Sequence, residues 1–574
     1  MKRHTLFNVL GVLVIASLAL AACGTPATQT AAAPTNPPAD TAVPAPENPY
    51  ETVPFSEPMV LTNPECVAPQ LVSSVEALDE FTVVFNLCQA DPAFTSKMGF
   101  SPFAIYPQEW LEWASQPENQ EARLSHPVGT GPYMVDDWAR GESLTFAANP
   151  NYWGEAPLDS TLVFRWSAES AARVLELQAG TVNGIDNPGP DDFAVINGDS
   201  NLTLVGRPAL NTMYLGVTNT FEPWDDVNVR KALAMGIDRQ RIVDTFYPEG
   251  SVVASHFTPC AIPNGCVGDE WYEFDPEAAK ALLAEAGFPD GFSTTLYYRD
   301  VVRPYIAEVG RVMEDVQAQL KENLNIESEI VVMESGAFIE ASTGGTLDGI
   351  YLLGWGADYP HITNFLDFHF GSANPQFGTP YPEIYEPMQQ ASSIGDPAEA
   401  EPLYIEANNA IKELVPMVPV AHGGNATAYL ADVSNPQASP VTEERFALSS
   451  AGTGDTFVWM QNAEPISLFC ADESDGESLR GCTQIMEGMY AYKLNSTDIE
   501  PALAESCDPS EDLTSWTCHL RQGVTFHDGT PFDANDVVAT YTMGLDASSP
   551  LHQGNTNQWE YYGYLWGLIN VPPG

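Results

Sequence analysis

The chain has 574 residues, 44% of them hydrophobic, and 22 basic against 77 acidic side chains, a formal net charge of −55. Nucleic acid is excluded as a partner, because no cationic surface is available to displace counterions. An anionic membrane repels such a body as well, so membrane attachment has to come from another device. Only seven of the basic residues are Lys; an acidic, Lys-poor surface fits both salt adaptation and export.

The N-terminus supplies that device. Lys2, Arg3 and His4 form a basic start, and residues 6–20 an apolar run shorter than the ~20 residues a spanning helix needs. The run ends in Leu20-Ala21-Ala22-Cys23-Gly24, the pattern of a lipoprotein signal peptide. Cys23 is expected to become the first mature residue and carry the lipid, since several acyl chains anchor stably where one does not. A plain signal peptide cut at the Ala-rich site is the alternative. Residues 24–49, rich in Ala, Thr and Pro, bury too little to offset ordering entropy and read as a disordered tether.

The remaining chain is long enough for two or three domains with their own cores. Phe81-Thr82-Val83-Val84-Phe85 predicts a strand. Residues 227–247 predict a helix with Val229, Leu233, Ile237 and Val243 on one side. Asp275 as N-cap, Pro276 at the first helical position and Gly287 as stop predict another, with Leu282 and Leu283 inward. Strands and helices mix without a regular βαβ rhythm or a 20–50-residue repeat.

The strongest candidate site is Gly354-Trp355-Gly356-Ala357-Asp358-Tyr359-Pro360, after the apolar run 350–353. An aspartate leaving a strand beside a tryptophan binds an ammonium group through a charge-assisted hydrogen bond, with a cation–π contribution from the ring. The competing reading makes Asp358 a turn cap and Trp355 a core residue. His527-Asp528-Gly529-Thr530 reads as turn chemistry. No G-x-x-x-x-G-K, G-x-S-x-G or H-E-x-x-H occurs, and the nine His stand at no metal-ligand spacing, so neither catalysis, cofactor nor metal is expected. Nine Cys less Cys23 leave eight, which in an exported chain implies disulfides. Pairing between sequence neighbours is preferred among about 105 connectivities: Cys66 with Cys88, Cys260 with Cys266, Cys470 with Cys482 and Cys507 with Cys518. Zinc is the rival, without any C-x-x-C to support it.

Several segments together resemble the extracellular solute-binding proteins of peptide ABC importers, the oligopeptide/dipeptide/nickel-binding family. They are Pro127-Val128-Gly129-Thr130-Gly131-Pro132-Tyr133, Asn149-Pro150-Asn151-Tyr152-Trp153-Gly154, Leu177-Gln178-Ala179-Gly180, Asp226-Val227-Asn228-Val229-Arg230-Lys231-Ala232-Leu233 and Phe274-Asp275-Pro276. The family's opening signature, Trp516-Thr517-Cys518-His519-Leu520-Arg521-Gln522-Gly523-Val524-Thr525-Phe526-His527-Asp528-Gly529, comes last instead of first. The resemblance covers about residues 55–574 and implies an α/β, periplasmic-binding-protein-like two-lobed clamshell with an appended subdomain, circularly permuted. Residues 50–125 plus 488–574 would form the appended subdomain, holding both permuted termini. Residues 126–221 plus 441–487 would form the first lobe, and 222–440 the second.

By resemblance, Asp358 takes the α-amino group of a bound peptide, with Gly354, Trp355 and Tyr359 around it. Ser474, Asp475 and Gly476 offer backbone for strand-like pairing with the ligand, and Asn219 lies where the lobes connect. No residue marks a carboxylate-binding arginine. The implied function is a monomeric receptor held at the outer face of the cell membrane by lipidated Cys23. It would bind short peptides and deliver them to the transmembrane permease of an ABC importer. Nickel, haem or an oligosaccharide are the alternative ligands within the family. A secreted hydrolase with an acidic dyad is the rival from another class.

Overall fold

Thr82–Leu87 alternates buried and half-buried residues, as a strand with one face on a core must. In the computed structural model, which describes residues 48–571 except Val302, Pro304 and Ala307, this strand joins distant parts of the chain. Val72–Asp79 pairs with it on one side and Ser515–Leu520 on the other, with Phe85 opposite Trp516 and Val83 opposite Cys518. Val60–Thr62 and Ala504–Pro509 complete a five-stranded sheet. The helix Ala534–Leu545 lies against it, its Tyr541 ring 4.9 Å from that of Phe85. The leader, Cys23 and residues 24–47 of the expected tether lie outside the described residues.

Two larger sheets carry most of the rest, and Tyr490–Tyr492 pairs with Ile499–Pro501 in a two-stranded ribbon. A seven-stranded mixed sheet runs in the order Tyr133–Ala139, Ser143–Ala148, Thr161–Trp166, Thr456–Gln461, Gly184–Asp186, Asn425–Leu430, Leu202–Arg207. A six-stranded sheet runs Val252–Val253, Met417–His422, Asn211–Gly216, Ile350–Gly356, Ser293–Arg299, Glu327–Met333. The chain therefore passes between these sheets twice, at 207–211 and at 422–425.

These crossings correct the expected boundaries. Asn211–Gly216 falls in the stretch assigned to the first lobe, yet it pairs with Ile350–Gly356 and Met417–His422. All six of its residues are buried, which only a central strand covered on both faces satisfies. Asn425–Leu430, assigned to the second lobe, pairs with Gly184–Asp186 and Leu202–Arg207. The expected 227–247 helix is two helices, Val227–Gly236 and Arg239–Phe246. Asp238 separates them by capping the second, accepting from the Arg241 amide. Pro276–Glu285 begins and ends as the sequence requires: Asp275 accepts from the Ala278 amide, and Gly287 takes φ +94°, where an L side chain would strain.

All four expected cysteine pairs are disulfide-bonded: Cys66 with Cys88, Cys260 with Cys266, Cys470 with Cys482 and Cys507 with Cys518. Cys88 directly follows the strand Thr82–Leu87, so its bond to Cys66 ties the end of that strand to the loop before Val72–Asp79. Cys266 closes a short loop on Cys260, with Ser255 Oγ 3.7 Å from either sulfur. Cys507 and Cys518 sit opposite each other on paired strands. His527 and Asp528 are structural: the Asp528 carboxylate accepts from the amide and hydroxyl of Thr530, and the His527 ring meets the Gly131 carbonyl.

Beside the 207–211 crossing lies a buried ion network. Arg207 reaches Asp186 at 3.0 Å and Glu444 at 2.5 Å, and Arg480 reaches the same acids at 2.9 and 2.8 Å. All four side chains are at most 3% exposed. Two full cations against two full anions is the arrangement in which buried charge is tolerated.

Candidate functional site

The strand Ile350–Gly356 is buried from Ile350 to Gly354 and surfaces at Trp355. It runs parallel to Ser293–Arg299 and antiparallel to Asn211–Gly216, and Asp358 follows its carboxyl end by two residues. Gly354 is dictated by space: a Cβ there would stand 2.3 Å from the Tyr305 ring and 2.5 Å from the Thr212 carbonyl oxygen. Trp355 stacks on Phe368 with centroids 4.4 Å apart, and its Nε1 donates to Asn364 Oδ1 at 3.1 Å.

Asn364 also fixes Asp358. The Asp358 amide donates to Asn364 Oδ1 at 3.2 Å, and Asn364 Nδ2 donates to Asp358 Oδ2 at 3.0 Å. Oδ1 of Asp358 has no hydrogen-bond partner among the described residues. Burial pushes this carboxyl up to about 6; the Asn364 bond opposes the rise and nearby Glu560 adds to it. The result is a half-buried acid, held in place and with no ion-pair partner among the described residues. Tyr359 is buried behind it, its hydroxyl 3.3 Å from Thr363 Oγ1. Lys97 Nζ lies 5.5 Å from the Tyr359 ring centroid but is paired with Asp91 at 2.7 Å.

The facing wall comes from the far end of the sequence. The helix Glu560–Leu565 presents Tyr564, 40% exposed, with its ring 6.1 Å from Trp355 and 5.5 Å from Phe368. The loop before this helix hangs on Asp472, whose carboxylate accepts from the amides of Thr556, Asn557 and Trp559 at 2.6–2.7 Å. Sequence reasoning missed Asn364, Tyr564 and Asp472, because each acts across a distance no local pattern encodes.

Ser474, on the loop that follows Asp472, and Gly476, the first residue of the helix Gly476–Ile485, are exposed. The Asp475 side chain is taken up as a helix cap, accepting from the amide and hydroxyl of Ser478. Backbone, rather than the Asp475 carboxylate, is what this loop offers. Asn219 stands elsewhere. It follows Gly216, which pairs with Tyr351, whereas Asp358 follows Gly356, which pairs with Asn211 at the other end of the two strands. Both atoms of its side-chain amide bond the Thr379 backbone, at 2.9 and 2.8 Å, and it lies away from both lobe crossings. Arg299 ends the neighbouring parallel strand and donates to Ser335 Oγ at 3.1 Å and the Tyr305 hydroxyl at 3.5 Å. It puts a cation on the Tyr305 side of Gly354. Among the described residues no group of three metal-ligating side chains gathers, and no helix is long and apolar enough to cross a membrane.

Comparison with known proteins places this geometry. The family of bacterial extracellular solute-binding proteins, family 5 Middle, matches residues 29–377 and 498–560. The dipeptide-binding protein of Escherichia coli K12 is 29% identical over 361 residues, 62% of this chain and 67% of its own. Heme-binding protein A of Haemophilus influenzae is 30% identical over 362 residues, 62% of this chain and 65% of its own. The matched stretch thus spans about two thirds of either relative. Among solved structures, HbpA2 from Haemophilus parasuis superposes with a TM-score of 0.62 at 28% identity, over 67% of this chain and 76% of that one. DppA from Helicobacter pylori in complex with peptide STSA shares the fold at TM-score 0.55 and 24% identity, over 67% and 75%. The fold is that of the two-lobed periplasmic binding proteins, whose members hold solutes and are not enzymes. The family match extends over more than half of the sequence, and the chain belongs to the bacterial extracellular solute-binding proteins of family 5.

Proposed function

We propose that this protein is a membrane-anchored extracytoplasmic receptor that takes short peptides by their α-amino group and delivers them to an ABC importer permease. One observation carries the reading: Asp358 is fixed by Asn364, which it shares with Trp355 just past a strand end, and keeps Oδ1 without a partner among the described residues. A peptide ammonium supplies the missing counter-charge, and the aromatic wall adds cation–π attraction. Closure of the lobes would present the loaded cleft to the permease, with the lipid on Cys23 holding the receptor at the membrane. The dipeptide-binding relative supports a peptide ligand, and the heme-binding relative makes haem the ligand to compete against.

The test is titration calorimetry with free and N-acetylated forms of one peptide, with haem in parallel. Tight binding of the free form and loss on acetylation are expected. Equal affinities remove Asp358 from the site, and haem binding without peptide binding transfers the reading to a haem carrier.

We also propose that the fold is a circular permutant. In support, the Leu71 amide donates to the Trp566 carbonyl at 2.7 Å and Gln70 Nε2 to the Leu568 carbonyl at 3.2 Å, so the late segment lies beside the early one. Permutation is tolerated where ends meet on exposed loops, and residues 452–455 form such a loop. A chain reopened at 453 and joined from 571 to 57 by a Gly/Ser linker should fold and bind as the parent does. Failure of that chain to fold overturns the permutation.

A further inference from the structure

A cavity of about 450 Å³ opens where the ribbon of Tyr490–Tyr492 and Ile499–Pro501 meets the 152–155 turn and the 443–448 segment. Its size suits a long side chain or a small molecule, and its walls include Tyr152, Trp153, Met486, Tyr490 and Tyr492. Four carboxylates line it, and they differ in what they have left to offer. Glu155 is exposed, so its charge stays hydrated. Glu487 is saturated: Thr130, Tyr152 and Trp153 each donate to it at 2.8 Å. Glu500 is paired with Arg445 at 2.5 Å. Glu443 accepts from the amide and hydroxyl of Ser101, both on Oε1, and Oε2 has no partner among the described residues.

Glu443 is rigidly placed. The next residue, Glu444, is locked between Arg207 and Arg480 in the buried ion network. Burial pushes the Glu443 carboxyl up to about 7, the behaviour of an acid without a counter-charge. The cavity reaches toward Asp358 through Tyr492, which lines it and donates its hydroxyl to the Ser96 carbonyl at 2.9 Å. The next residue, Lys97, lies 5.5 Å from the ring centroid of Tyr359, the neighbour of Asp358. Beyond burial, Glu443 and Asp358 both act to raise the hydroxyls of Tyr492 and Tyr561, and Glu560 adds to the effect on Tyr561. Asp358 and Asp367 do the same at Tyr564. The cation that acts on Asp367, Lys97, is already committed to Asp91.

We propose that this cavity receives the first side chain of the bound peptide, and that Glu443 selects a basic one, lysine or arginine. The inference rests on the reading of Asp358 as the α-amino anchor. A ligand held there by its amine has the cavity beside its first Cα. The methylenes of a basic chain lie along Met486 and the rings, and its charged end meets Oε2 of Glu443. A neutral chain of equal length fills the same space and leaves the carboxylate unpaired.

The test is titration calorimetry of Lys-Ala against norleucine-Ala, and of the corresponding tripeptides ending in a second Ala, on the full chain and on Glu443→Gln. Norleucine keeps the methylenes and lacks the charge. The lysine form should bind the parent protein roughly ten- to a hundred-fold more tightly, the worth of one charge-assisted hydrogen bond. In Glu443→Gln that preference should fall to about threefold or less, while the norleucine form keeps its affinity and shows the variant folded. Equal affinities on the parent protein overturn the pocket and leave the peptide reading standing. A lysine preference that survives Glu443→Gln removes Glu443 from the role. Binding of neither peptide at either length overturns both readings.

Discussion

Two groups of carboxylates in this protein, with members as close as Glu443 and Glu444, live under opposite conditions. Asp186 and Glu444 are buried against Arg207 and Arg480, every charge matched and every bond made. Burial acts to raise Asp186, but the two arginines outweigh it and hold the carboxyl below the usual range. Asp358 and Glu443 have no such partners, and burial wins: they rise to about 6 and about 7. The first group stabilises by satisfying itself. The second holds charge that folding leaves unsatisfied, which is what a site does when its partner is a ligand.

Breaking the first group should have the largest effect. Arg480→Met leaves two buried acids with one arginine, and the loss of a partner from a buried pair costs about 3–5 kcal/mol. Urea denaturation reads it directly; a change below about 1 kcal/mol would mean the network is hydrated and the contrast false.

Asp358→Asn probes the second group and should behave in the opposite way. Peptide affinity should drop by about 2–5 kcal/mol as the ammonium loses its charged acceptor, while the ligand-free protein keeps or gains stability. A stability loss comparable to that of Arg480→Met would place Asp358 among the structural acids.

The Cys470–Cys482 bond closes a loop of separation 12 that holds Asp472 and the helix bearing Arg480. Replacing both by Ser should cost about 3 kcal/mol on the chain-entropy estimate. It should lower thermal stability and loosen the Ser474–Gly476 backbone. Unchanged melting would show that the ion network alone fixes this segment.

The smallest effect is in pH. An acid raised to about 6 in the empty site holds a proton below that pH, and a bound ammonium favours the ionised form, so binding expels the proton. Affinity should be full above about pH 6 and fall as pH drops through it, by at most about 1.4 kcal/mol per unit. Glu443 and Asp367, both near 7, also titrate in this region. Calorimetry on Asp358→Asn isolates the Asp358 share: that variant should lose the step near 6.

What local chemistry encodes was legible in the sequence. Asp275-Pro276 and Gly287 bound a helix because capping and φ preference act within one turn. Neighbouring cysteines such as Cys260 and Cys266 pair because short loops close readily. Gly354-Trp355 and Asp358 stand at a strand end because an apolar run stops there. Asn219 was expected where the lobes connect, but it follows Gly216, at the end of its strand opposite the 207–211 crossing, and a residue after a strand reads alike at either end of a sheet. The lobe crossings were misplaced because the burial of Asn211–Gly216 on both faces depends on strands about 140 and 200 residues away.

Tertiary structure alone decided the rest. It set Tyr564 against Trp355, gave Asn364 to Asp358, locked Glu444 between two arginines and left Glu443 facing a cavity. In a chain with 77 acidic residues, no sequence pattern separates an acid that is paired from one that waits for a partner. That difference is made by desolvation and by which cation lies within reach, and both are properties of folded space.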